Sequence, residues 1–117
     1  MTHPALSLTK KKPVVYTALS KHNFFLRAHI SKFVLENDAV PLNPFMIFDY
    51  FMLDTLPRDT VREANNNVLK KADELWVFGQ ISDGVAAEIA LFEGSKKFFA
   101  IKGKEFIEVS QDDLEVE

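Results

Sequence analysis

The chain contains no cysteine. Disulfides, thiolate metal sites and thiol catalysis are therefore excluded, and the composition is compatible with a reducing, cytoplasmic setting. No run of about 18 apolar residues occurs, which argues against a transmembrane helix and a membrane partner. His3, His22 and His29 lack metal-ligand spacing, so no metal is expected. Neither a Gly-x-Gly-x-x-Gly fingerprint nor a P-loop lysine motif is present, leaving dinucleotide binding and ATP hydrolysis without support. The formal charge of −3 lacks the basic excess typical of proteins that track a nucleic-acid backbone. Internal repeats and low-complexity segments are absent as well.

What is present fits one domain. The 117 residues are 47% apolar and 26% charged, close to the globular average and enough for a core without staples. Residues 1–12, with Lys10, Lys11 and Lys12 but no apolar h-region behind them, read as a flexible N-terminal tail and not a secretory signal. The domain spans 13–110, and 111–117 is an acidic tail expected to fray. Pro13–Ala18 is a β-branched and aromatic run that predicts a first strand, with a turn over 19–23. Helical spacing follows over Phe24–Glu36, then a brief strand over Ala39–Leu42, interrupted by Pro41. Asn43–Leu56 is strongly apolar without a clean period and reads as a helix or helix-like loop. A helix over Pro57–Lys71, a strand over Glu74–Phe78, a helix over Asp83–Glu93 and strands over Lys97–Ile101 and Glu105–Val109 complete the order.

The segment Lys70–Ile89 carries the strongest signal: strand, small-residue turn (Ser82-Asp83-Gly84), then a helix bearing Glu88. Strand, loop, helix is half of a parallel α/β unit, and in such sheets ligands bind beyond the carboxyl ends of the strands. Tyr16, closing the first strand, Ser20 in the loop after it, and Ser82 to Glu88 would meet at that crevice. Ser82 or Asp83 caps the helix, Gly84 lets a ligand approach the backbone, and the free N–H groups suit a phosphate or carboxylate. The same helix field would favour ionised Glu88, the form needed for attack at a sugar carbon. The blander alternatives are a plain helix cap at Ser-Asp-Gly, a solvated Glu88 and a core tyrosine at position 16.

The phrase Asp73-Glu74-Leu75-Trp76-Val77-Phe78-Gly79 followed by Ser82-Asp83-Gly84-Val85-Ala86-Ala87-Glu88-Ile89-Ala90 resembles the nucleoside 2-deoxyribosyltransferase-like superfamily, including its deoxynucleoside 5′-monophosphate N-glycosidases. The resemblance runs from Val14 to about Ile101, and its Gly-x-x-x-Glu step is the most specific part. It implies that Glu88 is the nucleophile, that Tyr16 orients it, and that Ser20 and Ser82 contact a phosphate. Asn43, in the Asn-Pro step after the second strand, is counted among the substrate-binding residues with Ser20, Ser82, Asp83 and Gly84. Two positions depart from the pattern. An aspartate that helps protonate the leaving base is Asn65 here, and a glycine of the first phosphate loop is Leu19. Asparagine hydrogen-bonds a base but delivers no proton, leaving Asp83 or Glu63 as substitutes.

The expectation is a flavodoxin- or Rossmann-like three-layer α/β/α sandwich with a mostly parallel sheet of about five strands. Its function would be N-glycosidic cleavage or deoxyribosyl transfer on a nucleoside or nucleoside 5′-monophosphate, catalysed by Glu88, Tyr16 and Asn65 without a cofactor. Competing readings are a nucleotide- or sugar-phosphate-binding module that has lost turnover, and an interaction domain built on Phe45–Phe51. The excess of large apolar residues over 44–53 also predicts a homodimer or larger homo-oligomer.

Overall fold

A computed structural model describes residues 3–47 and 55–117. Among these, the order is β1 (Val14–Leu19), α1 (Arg27–Glu36), β2 (Val40–Leu42), α2 (Pro44–Ile47), α3 (Arg58–Lys70), β3 (Glu74–Phe78), α4 (Asp83–Leu91), β4 (Ser95–Lys102) and β5 (Glu105–Val109). Most of the aromatic segment expected to pair subunits, Phe48 to Leu53, lies outside the described residues.

The strands form one five-stranded sheet in the order β2-β1-β3-β4-β5. β1 pairs in parallel with β2 and β3, and β3 with β4, while β5 runs antiparallel to β4. The fold is α/β and the sheet is mixed. Gly103 explains the reversal: at φ 63° it turns the chain between Lys102 and Glu105, and so short a connection has no room for a parallel crossover.

Central strands are buried on both sides. Val15 to Leu19 and Leu75 to Phe78 are all inaccessible or nearly so, as continuous apolar runs in parallel strands should be. Alternation along the strands divides the core. Val15, Leu19, Trp76 and Phe78 join Ile30 and Val34 of α1 in one cluster, where Phe78 and Phe99 stack with centroids 5.0 Å apart. Tyr16, Ala18, Leu75 and Val77 join Leu69 of α3 and Val85 of α4 in the other.

Two terminal expectations change. Lys10 and Lys12 reach Asp38 at 2.8 and 3.0 Å, so the end of the basic segment is tied to the turn after α1. The acidic segment 111–117 is packed against the domain through Leu114. Ser110 and Asp113 form a reciprocal capping box, Leu114 is buried, and Val116 bridges Ile81 in parallel. Leu114 and the backbone hydrogen bonds to Ile81 supply this docking, while Val116 stays exposed.

The strand order reverses between β1 and β3: β2 follows β1 on one side of it, and the chain then returns to place β3 on the other. A crevice forms at such a switch point, beyond the carboxyl ends of the two strands.

Candidate active site

A cleft of about 740 Å³ occupies that position. Ser20 and Lys21 reach it from the loop after β1, and Ser82, Asp83, Gly84 and Glu88 from the loop after β3 and from α4. The opposite wall is α3, where Arg58, Val61, Arg62 and Asn65 recur at helical spacing along one stripe.

One side-chain bond links the two loops, and a backbone bond ties the start of the second to β4. Asn23 Nδ2 donates to Gln80 Oε1 at 3.0 Å, and Gly79 N–H donates to the Phe99 carbonyl at 2.9 Å. Gly79 has φ 77°, and a Cβ there would lie 2.8 Å from both Asn23 Nδ2 and Ile101 Cδ1. The positive φ favours glycine, and any larger residue would also displace the Asn23 and Ile101 side chains.

Each serine caps the element that follows it. Ser82 Oγ accepts the Val85 N–H at 3.3 Å, and Ser20 Oγ accepts the His22 N–H at 3.3 Å. Those bonds use acceptor capacity and leave both hydroxyl protons available to an oxygen in the cleft. An added Cβ on Gly84 would meet nothing closer than Ser82 Oγ at 4.0 Å, so the backbone there is open to approach.

Tyr16 lies in the middle of β1, because the strand continues to Leu19 opposite Phe78 and does not close at the tyrosine. Its fully buried ring sits on the α4 side of the sheet, and its hydroxyl donates to Glu88 Oε2. Burial raises the Glu88 carboxyl to about 7, against the lowering effect of the Tyr16 hydrogen bond. The helix field does not dominate as the sequence suggested. Glu88 is on the second turn of α4, and the field decays within the first. Burial, then the Glu88 charge, push the Tyr16 phenol far above its ordinary range, while the Asn65 amide works the other way. Tyr16 is consequently a permanent proton donor to the carboxylate.

Asn65 Oδ1 is buried and has no hydrogen-bond partner. An orphaned acceptor of this kind costs about 1–3 kcal/mol, which a ligand donor would recover.

A family model described as a domain of unknown function (DUF7768) matches residues 15–100. The chain belongs to the DUF7768 family. No curated protein matches it. The DUF7768 match covers Tyr16, Ser20, Asn65, Ser82 and Glu88, and it ends before β5 and the docked 114–117 segment.

Seven of the eight residues selected from sequence meet around this cleft: six line it, and Tyr16 reaches it through Glu88. Asn43 does not line it. Its Oδ1 accepts the Phe45 N–H at 3.1 Å and its Nδ2 donates to the Arg27 carbonyl at 3.3 Å, so this side chain caps α2 and ties it to α1. Glu63, one of the two substitute acids, is exposed and does not line the cleft, whereas Asp83 does. Sequence reasoning missed Arg58 and Arg62, which the helical stripe with Asn65 would have revealed, and Glu117, which reaches the cleft through tertiary docking. Among the described residues no group of three or more His, Cys, Asp or Glu is arranged to hold a metal.

Proposed function

We propose that this protein cleaves or transfers at the N-glycosidic bond of a (deoxy)nucleoside or nucleoside 5′-monophosphate. The observation that carries this reading is the Tyr16–Glu88 contact: a partly buried carboxylate, oriented by a hydroxyl that cannot ionise, lining a cleft with ample room for a nucleoside. In the first step a Glu88 oxygen bonds to the anomeric carbon and the carbon–nitrogen bond breaks. The base departs with the electron pair and takes a proton from water or a neighbouring acid. Water or a second base then displaces Glu88, giving hydrolysis or transfer. Tyr16 holds the attacking oxygen in place, Ser20 and Ser82 offer hydroxyl protons to the sugar end, and Asn65 Oδ1 accepts from the base. The resemblance to the nucleoside 2-deoxyribosyltransferase-like superfamily supports the same roles. It also supports a flavodoxin-like three-layer fold and a homodimer, and the exposed Met46 and Ile47 of α2 fit a subunit contact; the absence of cysteine is compatible with the cytoplasm.

Chromatographic detection of free base tests this, using the four common deoxynucleosides and their 5′-monophosphates. Release by the wild type, abolished in Glu88→Gln and Glu88→Ala, is the expected result; release by both variants at the wild-type rate refutes the nucleophile. Because attack requires the carboxylate, the rate should rise with pH through about 7. A second reading, a binding module without turnover, is favoured by Asn65, which accepts from a base but protonates nothing, and by Leu19 lining the cleft where relatives have glycine. Binding of nucleosides without base release would select it.

A further inference from the structure

The docked C-terminal segment brings a third carboxylate to the cleft. Ile81 N–H donates to the Glu115 carbonyl at 2.7 Å, and Glu117 N–H donates to the Ile81 carbonyl at 2.9 Å. Leu114, 8% exposed, belongs to the cluster beneath α3 and α4 and holds the segment down. Glu117 is thereby fixed beside the residue that precedes Ser82. Its Oε1 lies 3.7 Å from His22 Nε2, on the loop that begins with Ser20, and the side chain is 30% exposed. Glu117 thus contacts both of the neighbouring loops that carry Ser20 and Ser82, and it lines the cleft with them.

This position bears on what the serines can hold. A 5′-phosphate brings a charge of about −1.5 to −2 and needs positive surroundings. Lys21 follows Ser20 directly in the chain and lines the cleft together with the carboxylates of Asp83 and Glu117. Asp83 already occupies the first turn of α4, where it offsets the attraction of the helix N-terminus for an anion. Arg58 and Arg62 stand on the α3 wall with Asn65, and Arg62 is paired with Asp59 at 3.1 Å. A neutral hydroxyl fits this seat better, since it can accept from a serine while donating to the Glu117 carboxylate.

We infer that Glu117 is a specificity residue, excluding phosphate from the seat between Ser20 and Ser82 and making the unphosphorylated nucleoside the substrate class. The substrate class rests on the nucleoside reading above; the exclusion of oxyanions does not. The resemblance implies the opposite preference, because it assigns Ser20 and Ser82 to a phosphate and does not extend to Glu117.

Calorimetric titration at pH 8, above the ordinary histidine range, tests it on the full chain. The probes are the four deoxynucleosides, their matched 5′-monophosphates and inorganic phosphate, each with wild type, Glu117→Gln and Glu117→Ala. Wild type should bind a nucleoside ~10-fold more tightly than its monophosphate, the scale expected for one like-charge contact at a partly exposed site. Both variants should gain ~10-fold for monophosphate and inorganic phosphate and change less than ~3-fold for the nucleoside. Unchanged phosphate and monophosphate affinities in both variants, or a wild-type preference for the monophosphate, would overturn the assignment. The two readings fail separately. If no nucleoside binds but phosphate affinity rises in the variants, the nucleoside reading falls and exclusion by Glu117 stands. If nucleosides bind and phosphate affinity is indifferent to residue 117, Glu117 is not the selector and the nucleoside reading stands.

Discussion

Replacing Glu88 by glutamine should remove turnover and, at alkaline pH, stabilise the fold. The carboxyl titrates at about 7 in the folded protein against an ordinary value of 4.5, and burial is the dominant cause. Between those values the folded state holds a proton that the unfolded chain has released, so stability falls as pH rises across the window. A gap of about 2.5 pH units corresponds to about 3 kcal/mol at 1.36 kcal/mol per unit, and cleft water reduces the effective figure to about 1–3 kcal/mol. Glutamine is nearly isosteric and retains an oxygen to accept the Tyr16 hydroxyl, but it carries no charge to bury. Differential scanning calorimetry should therefore place Glu88→Gln above wild type by roughly 4–18 °C at pH 8, taking about 4–6 °C per kcal/mol for a domain of this size. At pH 4.5 the two should melt within about 3 °C of each other, because wild type is then neutral at this position as well. A difference independent of pH, or a variant less stable than wild type at pH 8, would show that Glu88 is not held in a desolvating site. Such a result would also remove the basis for a pH–rate profile rising through about 7. Stability gained by deleting a residue that the chemistry needs is the usual signature of a functional site built against the fold's own preference.

Other measurements address the neighbouring parts. Tyr16→Phe removes the hydrogen bond that lowers the Glu88 carboxyl, so the rising limb of the pH–rate profile should move to higher pH; an unmoved limb would mean that Tyr16 does not act on Glu88. Asn65→Asp supplies a proton donor at the base end and should raise base release by ~10-fold or more, within the range typical of general-acid help; unchanged turnover would place Asn65 away from the leaving group. Gly79→Ala forces a Cβ against Asn23 and Ile101 at positive φ and should cost about 2–4 kcal/mol by denaturant titration, with Gly103→Ala, where the Cβ meets open space, costing about 1–2. Equal losses at the two glycines would refute the close-approach argument. Ile47→Asp should lower the mass seen by light scattering if α2 forms a subunit contact; a wild type that is already monomeric at micromolar concentration removes the dimer.

Much of the architecture was legible because the central strands are both short and apolar throughout. Glu74–Phe78 and Glu105–Val109 have the boundaries that composition and turn residues suggest, and the α3 and α4 spans differ by no more than two residues at either end. The 24–36 segment was harder. Its first turns are a 3₁₀ helix over Lys21–Leu26, nucleated by the Ser20 cap, and the α-helix begins at Arg27. Helical periodicity does not separate those two windings over so few residues. The reversal into β5 was present in the sequence as Lys102-Gly103-Lys104, a connection too short for a parallel crossover, and mattered more than the parallel habit of the other strands.

At the cleft, legibility depended on whether a residue's position follows from its own element. Ser82, Asp83, Gly84 and Glu88 share one loop and one helix, so naming the helix places all four. Asn43 looked equally local, yet its amide is consumed by the Phe45 N–H and the Arg27 carbonyl, a capping role as common for Asn before Pro as any ligand contact. The titration of Glu88 was read in the wrong direction because helix polarity is visible in sequence and desolvation is not. Whether a carboxylate on α4 meets water or the Tyr16 ring depends on the parallel register of β1 and β3, which sets Tyr16 opposite Leu75 on the face that α4 covers. Glu117 is the limiting case. Its neighbours Glu115 and Val116 are exposed, and the docking of this segment on Ile81 carries it to the cleft. Within a family match that ends at residue 100, the pair Tyr16 and Glu88 lies inside the shared region and Glu117 outside it. That division separates the groups proposed to perform the reaction from the one proposed to choose its substrate. Substitutions at residue 117 should accordingly change which sugar terminus is bound while leaving the Glu88 titration unmoved, and a shift of both together would show that the two sites are one.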